Sequence, residues 1–205
     1  MKGRRVWEIG GFVSGAVLIV IGAVALFLGV SGYRTVGDEL GKEAIVGGSD
    51  MAPAEIQKAA QEAGLPQTVD LPSCDVVDES IDTGSEARCF AQYMRVHALE
   101  ATGGLTYAEM GRFQSASDPS DAAGTNDPEA AAKDDEGNPV SNPQRNIWIN
   151  ETALATALNV SYMAEKIALF GIVVGIALVL TGVGLVILAL AVFGRDRPEA
   201  ASVAA

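Results

Sequence analysis

The fold is decided by two stretches of sequence that carry no charged residue. The first is GGFVSGAVLIVIGAVALFLGVSGY at residues 10–33, and the second is IALFGIVVGIALVLTGVGLVILALAVFG at residues 167–194. Each is longer than the roughly 20 apolar residues that a helix needs to cross a bilayer core of about 30 Å. The remaining sequence is too polar to bury both stretches as core helices of a soluble protein. We therefore predict transmembrane helices at residues 7–30 and 167–193.

The charge distribution predicts how these helices are oriented. Residues 31–166 contain 9 Lys or Arg and 23 Asp or Glu, whereas both ends of the chain are basic. Segments that flank membrane helices on the cytoplasmic side are enriched in Lys and Arg. We predict that residues 1–6 and 194–205 are cytoplasmic and that residues 31–166 lie outside a plasma membrane. Such an acidic exterior lacks the basic surface that nucleic-acid binding requires, so no nucleic-acid partner is expected.

A cleaved signal peptide is the competing interpretation of the first apolar stretch. A signal peptide also follows basic residues, but its apolar part spans only about 7–15 residues and ends at a cleavage site of small residues. Here the apolar run is longer, and the triplet Ala23-Val-Ala25 lies inside it rather than after it. The length of the run favours an uncleaved helix.

Both apolar stretches carry glycines at helical spacing. The positions are Gly11, Gly15 and Gly22 in the first stretch and Gly171, Gly175 and Gly182 in the second. Small residues let membrane helices approach closely, so we expect these glycines to be helix-packing positions of an antiparallel hairpin. One of the two sets could instead serve a separate partner or a second copy. Neither of the two charge-free stretches holds an Asp, Glu, Lys, Arg or His residue, which favours membrane anchors over a transport pathway.

The predicted exterior divides into three parts by composition. Residues 31–113 predict a small helical domain, with one helix that begins at Pro53 and ends at Gly64 and a second helix at residues 85–101. Residues 114–149 are dominated by Asp, Ser, Ala, Gly, Asn and Pro and predict an acidic flexible loop, because they offer little apolar surface to bury. Residues 150–166 regain helical spacing and predict a helix that leads into the membrane. The predicted fold class is mainly α, a two-helix transmembrane hairpin with a small helical extracytoplasmic domain.

Cys74 and Cys89 are the only cysteines, and both lie in the predicted exterior. An even pair in an oxidising compartment predicts a disulfide. Closing a loop of about 15 residues stabilises a fold by roughly 3 kcal/mol in the chain-entropy description. Free or redox-active thiols are the alternative, and they are less favoured because the spacing is not C-x-x-C.

The chain offers few groups for catalysis or metal binding. His97 is the only histidine; beside Glu100 it could respond to pH or bind a metal, but a packed polar residue is the commoner role. The acidic run at residues 127–136 lacks the ligand spacing of an EF-hand loop. We therefore expect no catalytic residue, no cofactor and no metal site.

The stretch HALEATGGLTYAE at residues 97–109 resembles a motif of small actinobacterial two-helix membrane proteins of unknown function. The motif positions are His97, Glu100, Gly103, Gly104, Thr106, Tyr107 and Glu109. Many members are labelled aromatic ring-opening dioxygenases. Extradiol ring cleavage uses a non-haem iron held by two histidines and a carboxylate, which a chain with one histidine cannot supply. The resemblance therefore implies the two-helix topology and no activity.

These features predict a non-enzymatic protein that is anchored in the lipid bilayer. Its exterior domain is expected to contact an envelope or membrane-complex protein, or a second copy of the chain. The alternative is an accessory or regulatory subunit of a larger membrane complex, such as a transporter or a respiratory assembly. An enzyme is the least favoured of the three.

Overall fold

The structure is a computed structural model that describes residues 2–193, and it confirms the mainly helical prediction. The helices are α1 at Lys2–Lys42, α2 at Pro53–Glu62, α3 at Gly84–Ala101 and α4 at Gln144–Leu188, followed by a π-helical turn at Ala189–Phe193. Within the described residues, extended segments pair only through isolated β-bridges. Met1 and the predicted cytoplasmic tail at residues 194–205 lie outside the described residues.

Two of the helices are long and apolar enough to cross a membrane, by length and composition. The candidate spans are Val6–Lys42 and Gln144–Ala191, and each contains an 18-residue stretch with a mean hydropathy of 2.6 and 2.9, respectively. Both helices extend further than predicted, because regular helical backbone continues into polar sequence. α4 begins six residues before the predicted start at Asn150, where the Asn142 side chain accepts the Gln144 amide at 3.1 Å.

The chain divides into two compact units. Among the described residues, one unit consists of the chain up to residue 35 and from residue 166 onward, and the other consists of residues 36–165. We call them the apolar unit and the acidic unit, because residues 36–165 hold 23 Asp or Glu against 7 Lys or Arg. Each unit is described separately below.

Glycines mark the closest contacts within the apolar unit. A Cβ atom placed on Gly15 would lie 2.7 Å from the carbonyl oxygen of Gly182, and one on Gly22 would lie 2.8 Å from that of Gly175. These separations are shorter than any side chain allows, so the two backbones meet only because both partners lack a side chain. Close packing of this kind is a main source of helix association in lipid.

The acidic unit has its core around Tyr93. This side chain is fully buried, and its hydroxyl donates a 2.6 Å hydrogen bond to the carbonyl oxygen of Cys74. Cys74 and Cys89 form the predicted disulfide. The buried core cluster comprises Leu40, Met51, Ile56, Ala60, Val76, Ile81, Ala87, Cys89, Ala91, Tyr93, Val96 and Leu158. The disulfide and the Tyr93 hydroxyl therefore both tie the segment around residue 74 to α3.

The N-terminus of α3 is held from two sides. Thr83 and Glu86 form a capping box, in which each side chain accepts the backbone N–H of the other residue. The Glu165 carboxylate, on α4, accepts the Gly84 amide at 2.7 Å and the Ser85 hydroxyl at 3.3 Å. Glu165 is only 4% exposed. A buried carboxylate at this place is favoured by the positive end of the helix dipole.

The segment between Met110 and α4, which includes the predicted flexible loop, is connected by isolated β-bridges and by short-range hydrogen bonds. β-Bridges join Phe113 to both Thr125 and Ser141, and Ser115 to Ala131. Asp side chains stabilise its turns. The Asp134 carboxylate, for example, accepts hydrogen bonds from the backbone amides of Glu136 and Asn138 at 3.1 and 2.7 Å. Asp and Asn side chains hydrogen-bond to backbone groups a few residues away. These bonds can fix the backbone conformation of the segment without a large apolar core.

We expect Gly84→Ala to lower the free energy of unfolding of the acidic unit by about 1–3 kcal/mol, the usual range for overpacking. The added Cβ would lie 2.7 Å from the Cα of Tyr162. Trp148 fluorescence during urea unfolding in detergent, in a Trp7→Phe background, measures the change. Gly41→Ala is the matched control, because its Cβ would meet nothing within 4 Å. Equal midpoints for the two variants would contradict the contact.

Stability should fall at alkaline pH through Tyr93. Burial, with a contribution from the Asp75 carboxylate, raises the pKa of Tyr93 above its ordinary value of 10.0. The unfolded chain ionises first, so this contribution is complete below about pH 10 and is lost as the pH rises further. Tyr93→Phe should lose less stability than the wild type between about pH 9 and pH 11. Thermal unfolding by circular dichroism tests this, and equal losses in both proteins would refute it.

Candidate functional site

The candidate site is an apolar groove in the acidic unit, with a cavity volume of about 650 Å³. We call it the apolar groove. Its lining residues are Glu39, Leu40, Glu43, Ile45, Phe90, Met94, Leu154, Ala157, Leu158 and Ser161. Seven of the ten are apolar, which is the composition of most sites for ligands and partner side chains.

Helical spacing explains how three elements share this groove. Phe90 and Met94 lie four residues apart on α3 and therefore project from the same face. Leu154 and Leu158 have the same spacing on α4, and Leu158 is buried whereas Leu154 is 53% exposed. Leu40, near the end of α1, is also buried. The floor of the groove thus belongs to the core, and its rim is open to solvent.

The charged residues of the groove are both acidic. Glu39 and Glu43 are one helical turn apart, near the end of α1 and just beyond it. Lys42 forms an ion pair with Glu39, with Nζ and Oε1 2.6 Å apart, but both side chains are about two-thirds exposed. Water and salt screen such a pair strongly. The rim therefore presents net negative charge beside an apolar floor.

Every arginine of the acidic unit lies over an aromatic ring of the same unit. The guanidinium-to-ring distances are 4.7 Å for Arg88 on Tyr162, 5.1 Å for Arg95 on Trp148, 5.4 Å for Arg112 on Phe113 and 3.9 Å for Arg145 on Tyr107. These distances fall in the range of cation–π contacts. The four arginine side chains are thus engaged within the unit, and the excess of 23 Asp or Glu over 7 Lys or Arg leaves its net charge strongly negative.

The motif residue His97 lies between two carboxylates. Its Nδ1 is 2.9 Å from Glu100 Oε2, and its Nε2 is 3.4 Å from Asp50 Oδ2 but makes no hydrogen bond in the described structure. Protonated His97 would pair with both carboxylates. Within residues 2–193, no group of three or more His, Cys, Asp or Glu side chains is arranged to hold a metal ion.

Gly103 and Gly104 terminate α3. Both adopt positive φ angles, +62° and +83°, which glycine tolerates best. The Gly104 amide donates to the Leu99 carbonyl at 2.7 Å and the Gly103 amide to the Glu100 carbonyl at 3.3 Å. This pair of bonds is the Schellman arrangement, which satisfies carbonyls at the helix end.

Thr102 and Trp148 lock the turn that follows α3. Thr102 is fully buried, and its hydroxyl oxygen lies 2.8 and 2.6 Å from the carbonyl oxygens of Ala98 and Leu105, so that its single hydrogen can be donated to either of them. The Trp148 indole N–H, from α4, reaches the Leu105 carbonyl at 2.8 Å and the Thr102 hydroxyl at 3.3 Å. The residues HALEATGGLTYAE therefore form a helix end that is docked on α4.

The last motif residues stabilise a tight turn. The Glu109 carboxylate accepts both the amide and the hydroxyl of Thr106 at 2.7 Å. These bonds, the amide first, lower the pKa of Glu109. Tyr107 is 43% exposed beneath Arg145. His97, Glu100 and Tyr107 line neither the apolar groove nor a smaller cavity of about 310 Å³ beside α2.

The six predicted packing glycines do not all have equal roles. Gly15, Gly22, Gly175 and Gly182 lie at the backbone contacts described above. A Cβ on Gly11 would instead meet the side chain of Ala189 at 3.3 Å, and one on Gly171 would meet its nearest atoms at 3.7 Å. Gly29 is a further contact position, where a Cβ would lie 2.7 Å from the carbonyl oxygen of Ala168. Gly29 lies seven residues after Gly22, and this helical spacing is the sequence signal that indicates a contact position.

Sequence patterns did not reveal the apolar groove or the Glu165 contact. The groove combines residues of three helices that are far apart in the chain, so no local spacing indicates it. Glu165 borders an apolar stretch, where a charged residue ordinarily marks the end of a membrane span. Its burial is visible only once Gly84 is known to pack against α4.

We expect Thr102→Val to destabilise the acidic unit by about 1–3 kcal/mol, because a buried carbonyl oxygen loses its hydroxyl donor and the Trp148 indole N–H loses an acceptor. Thr68→Val is the matched control, since Thr68 is an exposed residue of the loop after α2. Urea unfolding followed by Trp148 fluorescence measures both. The docked turn would be contradicted if Thr102→Val and Thr68→Val unfolded at the same urea concentration.

Comparison with known proteins gives no family for this chain. No family model, no curated protein and no solved structure matches it. The resemblance carried by residues 97–109 therefore stays a prediction, and the function has to be argued from the geometry.

Proposed function

We propose that this chain is a two-pass membrane protein whose acidic, extracytoplasmic unit binds a protein of the envelope or of a membrane complex through the apolar groove. The single observation that carries the proposal is the groove itself, an apolar cavity of about 650 Å³ with an acidic rim. The partner segment would present apolar side chains flanked by Lys or Arg.

The contacts within the apolar unit support the two-pass hairpin. Gly15 faces Gly182, Gly22 faces Gly175 and Gly29 faces Ala168, so the partner number falls as the first number rises. That order is the one expected of antiparallel helices. Basic residues at both ends of the chain favour cytoplasmic termini, and the acidic unit would then lie on the opposite side.

The shape and exposure of the groove support a protein partner. Leu154 is 53% exposed at the rim, while Leu40 and Leu158 on the floor are 5% and 6% exposed. An inserted apolar side chain would therefore meet a preformed surface and displace water from the exposed rim. Contacts of this kind, in a desolvated pocket, supply most of the free energy of a typical protein interface.

The charges support a basic partner segment. Glu39 and Glu43 are the only charged lining residues, and the arginines of the unit are engaged on aromatic rings. An excess of carboxylates attracts cationic segments and accelerates their encounter with the unit. Binding should consequently weaken as the salt concentration rises.

Site-specific photocrosslinking in native membranes tests the proposal. A benzophenone side chain at position 154 should give one discrete protein adduct, whereas the same probe in place of Tyr107 should not. Both positions are exposed, at 53% and 43%, but only Leu154 lines the groove. Met94→Glu should reduce the adduct by about tenfold or more, because an unpaired charge would be buried at the contact.

Gln92→Glu is the matched control for Met94→Glu. It introduces the same charge on α3, at an exposed position outside the groove, and should leave the adduct unchanged. Equal adducts from positions 154 and 107 would overturn the proposal. An adduct that contains only lipid, or one that is insensitive to Met94→Glu, would overturn it as well.

A further inference from the structure

One side of α4 is free of charge although the unit around it is strongly acidic. Between Arg145 and Glu165, the only Asp, Glu, Lys or Arg is Glu151, and its side chain is buried at 6% exposure. The solvent-facing surface of this part of the helix is therefore neutral. Elsewhere the same unit holds the great majority of the carboxylates of the chain.

The exposed residues of this surface follow a heptad pattern. The row consists of Ile149, Ala153, Thr156, Val160 and Met163, which are spaced by four, three, four and three residues and are all exposed. We call this row the α4 seam. Spacing of this kind aligns side chains along one stripe of a helix, as in coiled coils. At 1.5 Å per residue the seam is about 22 Å long.

The largest side chains of the seam are more than half exposed. The exposed fractions are 52% for Ile149, 53% for Val160 and 56% for Met163. A mainly apolar stripe of this length on one helix, interrupted here only by Thr156, is typical of a helix–helix interface.

The residues that flank the seam are also uncharged. They are Asn150, Thr152, Ala157, Asn159 and Ala164. In coiled coils these flanking positions usually carry the charges that select a partner, and like charges there repel identical chains. Here two identical helices meet no such repulsion. The polar Asn and Thr side chains can instead hydrogen-bond across a symmetric contact.

We propose that the α4 seam binds the α4 seam of a second copy of this chain, which makes the protein a symmetric dimer. Two copies carry the same excess of negative charge and repel each other over most of the acidic unit. The neutral seam is the surface on which they can meet. A basic partner, by contrast, gains nothing from a neutral surface and is drawn to the carboxylates.

Cysteine crosslinking in native membranes tests the dimer. Cys74 and Cys89 are paired, so an added cysteine is the only free thiol. Val160→Cys and Thr156→Cys should give a disulfide-linked species with the mass of two chains when an oxidant is added. Leu154→Cys is the matched control, because Leu154 is also 53% exposed but points about 120° away from Val160 on the same helix. It should stay monomeric.

Charge substitutions provide the second measurement. Val160→Glu with Ala153→Glu should raise the concentration for half-dimerisation by about tenfold or more, because carboxylates would face each other across the seam. Leu154→Glu should leave it unchanged. Mass measurement by light scattering across a dilution series in detergent, with circular dichroism as the folding control, gives the result.

Several outcomes would overturn the proposal. They are equal crosslinking at positions 154 and 160, an adduct whose mass is not that of two chains, and a monomer at every concentration. The test is separate from that of the proposed function, since photocrosslinking from position 154 reports the groove alone. Loss of the groove adduct with retention of the dimer, or the reverse, would show which proposal fails.

Discussion

The acidic unit depends on the contact between Glu165 and the N-terminus of α3. The carboxylate of Glu165 accepts the Gly84 amide although the two residues are 81 positions apart in the chain. A charge-assisted bond of this kind is stronger than a neutral one, and the helix dipole adds to it. Because Gly84 has no side chain, α3 can approach the backbone of α4 at Ser161 and Tyr162. The direction of α3 follows from this contact.

Several other features need α3 in that position. Cys89 reaches Cys74, and Tyr93 donates its hydroxyl to the carbonyl of the same Cys74. Phe90 and Met94 line the apolar groove on the same helix. The helix then ends in the glycine turn whose Thr102 is bonded by Trp148. α3 is therefore attached to α4 at both ends, and the groove lies along the helix between the two attachments.

The parts of the fold that local chemistry determines were predictable from the sequence. The apolar runs, the cysteine pair and the helix at residues 85–101 each depend on composition or on the spacing of near neighbours. The structure gives long apolar helices, the disulfide and α3 at Gly84–Ala101 accordingly. The start of α4 at Gln144 was missed because an Asn-Pro pair, not an apolar residue, determines it.

The rest depends on contacts between distant residues or on hydrogen bonds that composition does not reveal. The groove needs α1, α3 and α4 together, and the burial of Glu165 needs the missing side chain of Gly84. The acidic segment illustrates the second case, since its amino-acid content is that of a flexible chain. Its turns contain single carboxylates that accept amides two to four residues ahead, as Asp118 does for Ser120.

Because these hydrogen bonds are short-range, the backbone conformation of the acidic segment does not depend on its net charge. The Ser120 hydroxyl and amide lower the pKa of Asp118, but an amide side chain offers the same acceptor oxygen to a backbone N–H. Added salt screens the long-range field of the carboxylates within about 8 Å at physiological ionic strength, while local hydrogen bonds are hardly affected. At high salt concentration the acidic segment can therefore lose its long-range attraction for cations, while its backbone keeps the same conformation.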